Sequence, residues 1–506
     1  MVNRVGFDNE KYLKEQTTAI LERVREQQKL YLEFGGKLLF DYHAARVLPG
    51  FDPNVKIQLL QQLKDQIDVL LCIYAGDIER KKIRADFGIT YDAEAFRLID
   101  DLKQWEIPLC GVVITRYEDQ AAANIFKRRL ERQNINVYTH KYTKGYPTDI
   151  DTIVSDEGYG ANQYIETRKP IVVVTGPGPG SGKLATCLSQ LYHEHERGVH
   201  VGYAKFETFP IWNLPLDHEV NIAYEAATAD LKDVNLIDHF HLEAHNVKAV
   251  NYNRDIESFP LLQRIIEKIS HAELTYQSPT DMGVNRAGYG IVDDQVVRKA
   301  ATEEIIRRYF RYSCEHAMGL ADTETVERVE LLLNNLRIRP EDRKVVNPAR
   351  QAAAEARSKG KGFQGIFTGA ALELSDGAII TGKNSPLLHA ASSLILNACK
   401  YLADIPDNIH LLPPAITESL GYLKKDVLNG QKVGLDLSET LIALGISAST
   451  NPAAQIAVEK LKELNDCEVH ITHIPTPGDE SGLRKLRVNL TSDPDFSTKN
   501  LYVKPT

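Results

Sequence analysis

The residues of this sequence that most clearly suggest chemistry lie at positions 171–183, where IVVVT runs into the glycine- and proline-rich turn GPGPGSGK. The apolar residues favour a strand, the turn ends at Gly182 and Lys183, and a helical pattern begins there. A strand, a glycine loop and a helix in this order are typical of a phosphate-binding loop. The segment therefore predicts a ligand that carries a phosphate group.

The binding chemistry of such a loop comes mainly from its backbone. Glycines tolerate positive φ and carry no Cβ, so successive N–H groups can surround an anion. The helix that follows adds unpaired N–H groups and the positive end of its dipole. The expected phosphate contacts are Gly178, Gly180, Ser181, Gly182 and Lys183. The expected ligand is ATP or another nucleotide with Mg²⁺.

The loop departs from the usual pattern G-x-x-x-x-G-K-[ST] at two positions. Pro177 stands where the first glycine belongs, and Leu184 replaces the Ser or Thr whose hydroxyl normally contacts Mg²⁺. A tight strand-to-helix turn that binds nothing is therefore the alternative interpretation.

The composition is that of a globular protein with more than one domain. The chain has 506 residues, 43% hydrophobic and 25% charged, with a net charge of −9. Its length suggests about three domains, and the lack of a basic region argues against a nucleic-acid partner. No apolar run approaches the roughly 20 residues that span a bilayer, and no signal peptide is evident. For that reason we expect no membrane partner. Six dispersed cysteines indicate reduced thiols, so we expect a cytoplasmic protein.

The apolar periodicity divides the chain into three regions. Up to residue 292, apolar strands such as Ile67–Tyr74 and Leu109–Thr115 alternate with amphipathic helices, which predicts an α/β domain with a parallel, Rossmann-like sheet. The pattern of residues 293–358 predicts successive helices, which would form a hinge or a contact in a homo-oligomer. After a glycine-containing linker, residues 363–506 predict a second, smaller α/β domain.

Two further residues are candidates for catalysis because each lies at the end of a predicted strand. Ligands of open α/β folds bind at the carboxyl edge of the sheet. There Asp238 would contact the metal of a bound nucleotide, and Lys205 would place a second cation near the transferred group. The alternatives are a helix N-cap for Asp238 and a solvated surface charge for Lys205.

A group of histidines, His239, His241 and His245, follows Asp238 directly. Zinc accepts such ligands. The zinc-protease pattern H-E-x-x-H is not met, because Glu243 follows His241 by two residues and so lies on the far side of a helix. Surface histidines are the favoured interpretation, and a metal-dependent peptidase is disfavoured.

Three segments are distinctive: VVVTGPGPGSGKLATCLSQLYHE, GYAKFETFPIWNLPLDHEVNIAYEAATADLKDVNLIDHFHLEAH and VNYNRDIESFPLL. With them the chain resembles, over nearly its whole length, a bacterial family of uncharacterised proteins catalogued as a domain of unknown function. The resemblance implies cytoplasmic bacterial proteins of this length and no established activity. Some members carry the label ATP-dependent peptidase, which the residues above do not support.

The segment TGAALELSDGAIITGKN, followed by His389-Ala-Ala391, is similar to the start of cytidine deaminases. Those enzymes hold zinc and move protons with H-x-E and P-C-x-x-C. Here Ala391 stands where the glutamate belongs, and Cys399 has no second cysteine nearby. The resemblance therefore implies a deaminase-like fold without the zinc chemistry.

Two hypotheses of different class follow. In the first, an enzyme binds a small phosphorylated molecule at residues 176–183 and uses it in phosphoryl transfer, hydrolysis or ligation. In the second, the protein is a non-catalytic binding or regulatory scaffold, as the residues at Leu184 and Ala391 suggest.

Overall fold

The protein is described by a computed structural model that covers residues 5–25, 27–84, 88–273, 275–430 and 434–498. These residues form two compact units. The N-terminal unit contains residues up to 225 together with 233–301, and the C-terminal unit contains 226–232 together with the residues from 302 onward. The helices between 302 and 358 therefore belong to the same unit as the C-terminal sheet.

The regular elements are numbered along the chain. The strands are β1 (Lys29–Phe34), β2 (Ile67–Tyr74), β3 (Ile83–Arg84), β4 (Ile89–Thr90), β5 (Leu109–Thr115), β6 (Val137–Thr139), β7 (Ile171–Thr175), β8 (Val201–Phe206), β9 (Asn235–Ile237), β10 (Val250–Tyr252), β11 (Gly283–Val284), β12 (Gly369–Glu373), β13 (Ile379–Lys383), β14 (Glu468–Ile471) and β15 (Asn489–Ser492). The α-helices are α1 (Asn9–Arg25), α2 (Tyr42–Val47), α3 (Val55–Gln62), α4 (Ala75–Glu79), α5 (Tyr91–Gln104), α6 (Ala121–Glu131), α7 (Ile150–Ile153), α8 (Lys183–Glu196), α9 (Glu219–Ala227), α10 (His239–His245), α11 (Asn253–Ser270), α12 (Pro279–Met282), α13 (Asp294–Ala317), α14 (Thr323–Leu336), α15 (Val346–Ser358), α16 (Ala390–Leu402), α17 (Pro414–Tyr422), α18 (Leu437–Ser447), α19 (Pro452–Lys460) and α20 (Pro477–Lys485).

A seven-stranded parallel sheet organises the N-terminal unit, in the order β11-β8-β1-β7-β2-β5-β6. Its central strands are apolar on both sides, as is typical of a parallel sheet covered by helices. Leu30 and Leu32 pack in one core with α1, α3, α5 and α6, whereas Tyr31 packs in a second core with α8 and α11. The α/β fold with a parallel sheet, predicted from the alternating pattern, is confirmed.

The C-terminal unit is built on a smaller sheet of four strands, in the order β13-β12-β14-β15. Strand β12 is antiparallel to both neighbours, and β14 and β15 are parallel. Buried residues of α16, α18, α19 and α20 form one core with this sheet. A helical region and then a second, smaller α/β region were predicted, and both are present.

Within the described residues, the helices are too short or too polar for any of them to cross a bilayer.

Candidate functional site

The loop of residues 176–182 lies where the connections of the sheet change direction. From β1 the chain runs to β2 on the far side of β7, and from β7 it runs to β8 on the far side of β1. The carboxyl ends of β1 and β7 are neighbours, and the helices that follow them, α3 and α8, pack in the two separate cores, so a crevice opens between the two connections. Open α/β sheets bind their ligands in such a crevice.

The loop conformation requires glycine at several positions. Gly180 and Gly182 have φ of 73° and 90°, in the left-handed region that favours glycine. Gly176 is enclosed, because a Cβ there would lie 2.6 Å from the carbonyl oxygen of Cys72. This loop therefore needs a glycine at position 176, one residue before Pro177, where the usual pattern has its first glycine.

The loop leaves several hydrogen-bond donors without a protein partner. Among the described residues, the N–H groups of Gly178, Gly180, Gly182 and Lys183 donate to no protein group. The Lys183 ammonium likewise has no hydrogen bond or ion pair to any residue that the structure describes. Ser181 is buried, and its Oγ has no hydrogen-bond partner in the part of the chain that the structure describes. These groups are the predicted phosphate contacts, and the fold places them together at the start of α8.

A second cation lies beside the loop on the side of β2 and β5. The Arg116 guanidinium donates to the carbonyl oxygen of Gly180 and stacks over the Tyr74 ring, 3.4 Å from its centre. Thr115 Oγ1 donates to the carbonyl oxygen of Ser181 at 2.8 Å and fixes the base of the loop. The pattern around Lys183 did not indicate Arg116, because Arg116 follows a different strand.

The loop offers no hydroxyl for Mg²⁺ after its lysine. Leu184 occupies that position, and the next hydroxyl, on Thr186, is fully buried and accepts a hydrogen bond from Cys72 Sγ at 3.4 Å. Mg²⁺ can still enter with a ligand, because it binds through phosphate oxygens and retained waters.

Lys205 is not a solvated surface charge. Its side chain is 15% exposed, and Nζ is 2.7 Å from Glu207 Oε1 and 3.1 Å from Tyr252 Oη. It also pairs with Asp255, and the Tyr252 hydroxyl donates to Glu207. Burial alone lowers the pKa of Lys205, but the carboxylates outweigh burial and hold it above its usual range. The predicted cation is therefore already neutralised by protein carboxylates.

Glu207 is the group of this cluster whose ionisation is most altered. Burial raises its pKa, the Lys205 ammonium lowers it, and the Asp255 carboxylate raises it, to about 7. Glu207 packs against Gly35 at the carboxyl end of β1, since a Cβ on Gly35 would lie 3.3 Å from Glu207 Cγ. An acid that exchanges its proton near neutral pH thus borders the same crevice as the loop.

Glu207→Gln should change how stability depends on pH. The pKa of Glu207 is raised from 4.5 to about 7 on folding. The stabilisation that protonation gives is therefore complete below about pH 4.5 and lost as pH rises through about 7. As pH rises from about 5.5 to 7.5, the unfolding free energy of wild type should fall by on the order of 2 kcal/mol relative to that of the variant. Urea unfolding across this range measures the difference.

The matched control for that measurement is Glu243→Gln, at an exposed position of α10. The difference in unfolding free energy between Glu243→Gln and wild type should stay constant over the same pH range. A constant difference for Glu207→Gln as well would contradict the raised pKa.

Asp238 is a helix cap and does not lie at the edge of the large sheet. Strand β9, which precedes it, pairs only with β10 among the described strands, in an antiparallel hairpin. Its Oδ1 accepts from the N–H of His241 at 3.1 Å, and its Oδ2 accepts from Thr280 Oγ1 at 2.6 Å. The basis for assigning it to a nucleotide-bound metal is therefore removed, and the alternative N-cap interpretation is confirmed.

The histidines of α10 separate into two groups. His239 is exposed and contacts Phe240, whereas His241 and His245 lie on one face of the helix. Asp281 approaches both of these rings. Glu243 follows His241 by two residues and is exposed, so the glutamate is not where the H-E-x-x-H arrangement of a zinc protease requires it.

In the C-terminal unit, His389 lies at the start of α16, and its Nδ1 is 2.8 Å from Asp479 Oδ2. Cys399 is buried ten residues further along the same helix, which corresponds to about 15 Å of rise. Ala391 is buried and offers no acid. These residues do not assemble the zinc site of a deaminase.

Comparisons with known proteins agree with the resemblance drawn from the sequence. A family model described as domain of unknown function DUF1846, N-terminal, matches residues 5–337, and its C-terminal counterpart matches residues 341–502. A UPF0371 protein of Clostridium tetani is 57% identical over 499 residues, 99% of each chain. A UPF0371 protein of Clostridium botulinum type F is 58% identical over the same length. The similarity therefore extends through both units.

Proposed function

The chain belongs to the DUF1846 family, whose description assigns no activity, and we propose that its loop at residues 176–183 binds a small phosphorylated molecule such as a nucleotide. One observation carries the proposal: four loop N–H groups and the Lys183 ammonium lack partners among the described residues, at the switch point of a parallel sheet. Donors of this kind, held by left-handed glycines at a helix start, suit a phosphate.

The crevice offers a second set of groups opposite the loop. The loop follows β7, and Glu207 follows β8. These two strands lie on either side of β1, so their ends are about 10 Å apart. A ligand anchored by its phosphate can therefore extend a reacting group towards Glu207. In a transfer, hydrolysis or ligation, Glu207 accepts the proton of the attacking hydroxyl, amine or water, and Lys205 holds its carboxylate in place.

Lys183→Ala should weaken binding of phosphorylated ligands by roughly 10- to 100-fold, because a charge-assisted hydrogen bond contributes about 1.5–3 kcal/mol. Calorimetric titration of the full chain with ATP, GTP and pyrophosphate, each with and without Mg²⁺, measures this loss. Lys103→Ala is the matched control, because Lys103 is an exposed lysine of α5 outside the loop.

Equal affinities for wild type, Lys183→Ala and Lys103→Ala would contradict binding at the loop. Binding of no probe by folded wild type would favour the scaffold hypothesis, which the buried Thr186 and the apolar Leu184 support. Glu207→Gln separates binding from chemistry. It should retain affinity for the phosphorylated probe and lose turnover, whereas a scaffold has no turnover to lose.

A further inference from the structure

A second cluster of side chains has the composition of a metal site. His241 and His245 lie one turn apart on α10, and Asp281 of α12 approaches both of their rings. His245 Nε2 is 2.8 Å from Asp281 Oδ2, and His241 Nδ1 is 3.4 Å from Asp281 Oδ1. We propose that these three residues bind a transition-metal ion of the zinc type, at a site distinct from the loop at residues 176–183.

The spacing of the three side chains suits one ion. Each contributes a ligand atom, and these atoms lie within 4.8 Å of one another. A tetrahedral zinc centre with bonds of about 2.0–2.1 Å separates its ligand atoms by about 3.4 Å. Small side-chain rotations therefore bring the atoms into coordination. Two imidazoles and one carboxylate leave the fourth position open, as in catalytic zinc sites.

Neighbouring hydrogen bonds hold the two ligand-bearing helices in place. Asp238 accepts from the N–H of His241 on α10 and from both the N–H and Oγ1 of Thr280 on α12, so one buried carboxylate joins the helices. Ser278 Oγ accepts from the N–H of Asp281 at 3.0 Å and so caps α12, whereas its 3.0 Å contact with His241 Nδ1 would be replaced by the metal. Metal sites depend on such supporting contacts to orient their ligands. Asp238 is therefore a positioning residue for this site.

A cavity of about 300 Å³ adjoins His241 and Asp281 and gives the open coordination position access to solvent and ligand. Its walls include Trp212, Arg23 and Arg286. The Trp212 ring contacts the His241 ring edge-on, with centres 6.0 Å apart and planes inclined by 62°, and forms an apolar wall.

The arginines indicate the charge of the ligand. Arg23 donates to the main-chain oxygen of Asp281 and lies 4.8 Å from the centre of the Tyr276 ring. Arg286 lies beside Tyr289. Neither guanidinium has an ion pair among the residues that the structure describes. The exposed Glu22 also lines the cavity, but a metal and two guanidinium groups without ion pairs outweigh it in charge and favour an anion, either a carboxylate or a phosphate. The site would therefore take an anionic ligand with an apolar part against Trp212.

Metal binding tests the proposal with the full chain, stripped with a chelator and titrated with Zn²⁺ by calorimetry and with Co²⁺ by visible absorption. Wild type should bind one ion with the absorption of low-coordinate Co²⁺. His245→Ala should weaken binding roughly 100-fold or more, because a ligand is lost. His245 is exposed at the end of α10, so this variant should fold. Asp281→Asn tests the carboxylate independently.

His239→Ala is the control, since His239 lies on the same helix outside the cluster. It should bind as wild type does, and so should Lys183→Ala, which separates this site from the loop. The proposal is overturned if wild type binds no ion, or if His245→Ala and His239→Ala bind it equally.

The ligand class is tested on the Co²⁺-loaded protein with inorganic phosphate and with acetate as probes. At least one should shift the absorption, and Arg286→Ala should need at least tenfold more of that probe while still binding Co²⁺. The probe that acts at lower concentration identifies the anion. Absence of a shift with both probes, or an equal shift in Arg286→Ala, would contradict the assignment of an anionic ligand.

Discussion

Arg343→Met should lower the free energy of unfolding of the C-terminal unit by about 3–5 kcal/mol, because it removes a buried guanidinium and leaves the partly buried Glu468 carboxylate, 27% exposed, without this partner. The Arg343 side chain is 1% exposed. Its guanidinium pairs with Glu468, donates to Thr491 Oγ1 at 3.1 Å, and donates to the carbonyl oxygens of Asn489 at 2.7 Å and Val469 at 3.3 Å. One side chain thus joins β14 to β15 and neutralises Glu468.

A second arginine moderates the loss. Arg307 Nη1 is 3.2 Å from Glu468 Oε2 and stays in place in the variant. Burial raises the pKa of Glu468, but Arg307 and Arg343 together hold it below its usual range. With one arginine left, we expect the lower half of the stated interval. Urea unfolding followed by far-ultraviolet circular dichroism measures the change.

Arg339→Met is the matched control. Arg339 pairs with Asp342 at 3.2 Å, but its side chain is 77% exposed, and exposed pairs contribute about 0–1 kcal/mol. If both variants shift the transition equally, the buried network does not stabilise the unit in the way its geometry implies.

The buried strands were the most predictable part of the fold. Ile67–Tyr74, Leu109–Thr115 and Ile171–Thr175 were predicted with the bounds that the structure has. They are central strands covered on both faces, so their apolar runs are continuous and end abruptly at polar or glycine residues. The order of the strands was not predictable, because the insertion of β7 between β1 and β2 depends on contacts distant along the chain.

The same difference between local and distant contacts decides which residues of the candidate sites could be predicted. The loop donors are contiguous in sequence, so Gly182 and Lys183 could be identified from the pattern alone. Asp281 could not, because it reaches His245 across 36 positions. Glu207 was only a charged residue at a strand end in the sequence. Its raised pKa comes from burial and from the distant Asp255, which no local pattern reports.

Asp238 shows how a correct local feature can be assigned to the wrong surroundings. An apolar run ending in an acid predicted a strand followed by a functional carboxylate, and the strand β9 is present. The prediction placed that strand in the large sheet, whereas it pairs with β10. Strand pairing is a tertiary property, and the capping preference of aspartate is a local one. The local property was therefore the better guide here.

Gly182→Ala should destabilise the N-terminal unit by about 2–5 kcal/mol and abolish the proposed binding of phosphorylated ligands. A left-handed backbone costs a non-glycine residue about 1–2 kcal/mol, and overpacking adds about 1–3. The new Cβ would lie 2.7 Å from Cγ2 and Oγ1 of Thr115. Thr115 is buried and hydrogen-bonded to the Ser181 carbonyl oxygen, so it cannot move away without disturbing the loop.

Gly180→Ala is a control with the same chemical change and the same sign of φ. Its φ is 73°, but apart from its two chain neighbours no described residue has an atom within 4 Å of the position a Cβ would take. The backbone cost remains and the clash is absent, so we expect a loss of about 1–2 kcal/mol. Urea unfolding of both variants, followed by the fluorescence of Trp105 and Trp212 in the same unit, separates the two contributions. If both variants lose the same unfolding free energy, the clash with Thr115 contributes nothing. The loop conformation would then depend only on the positive φ of its glycines.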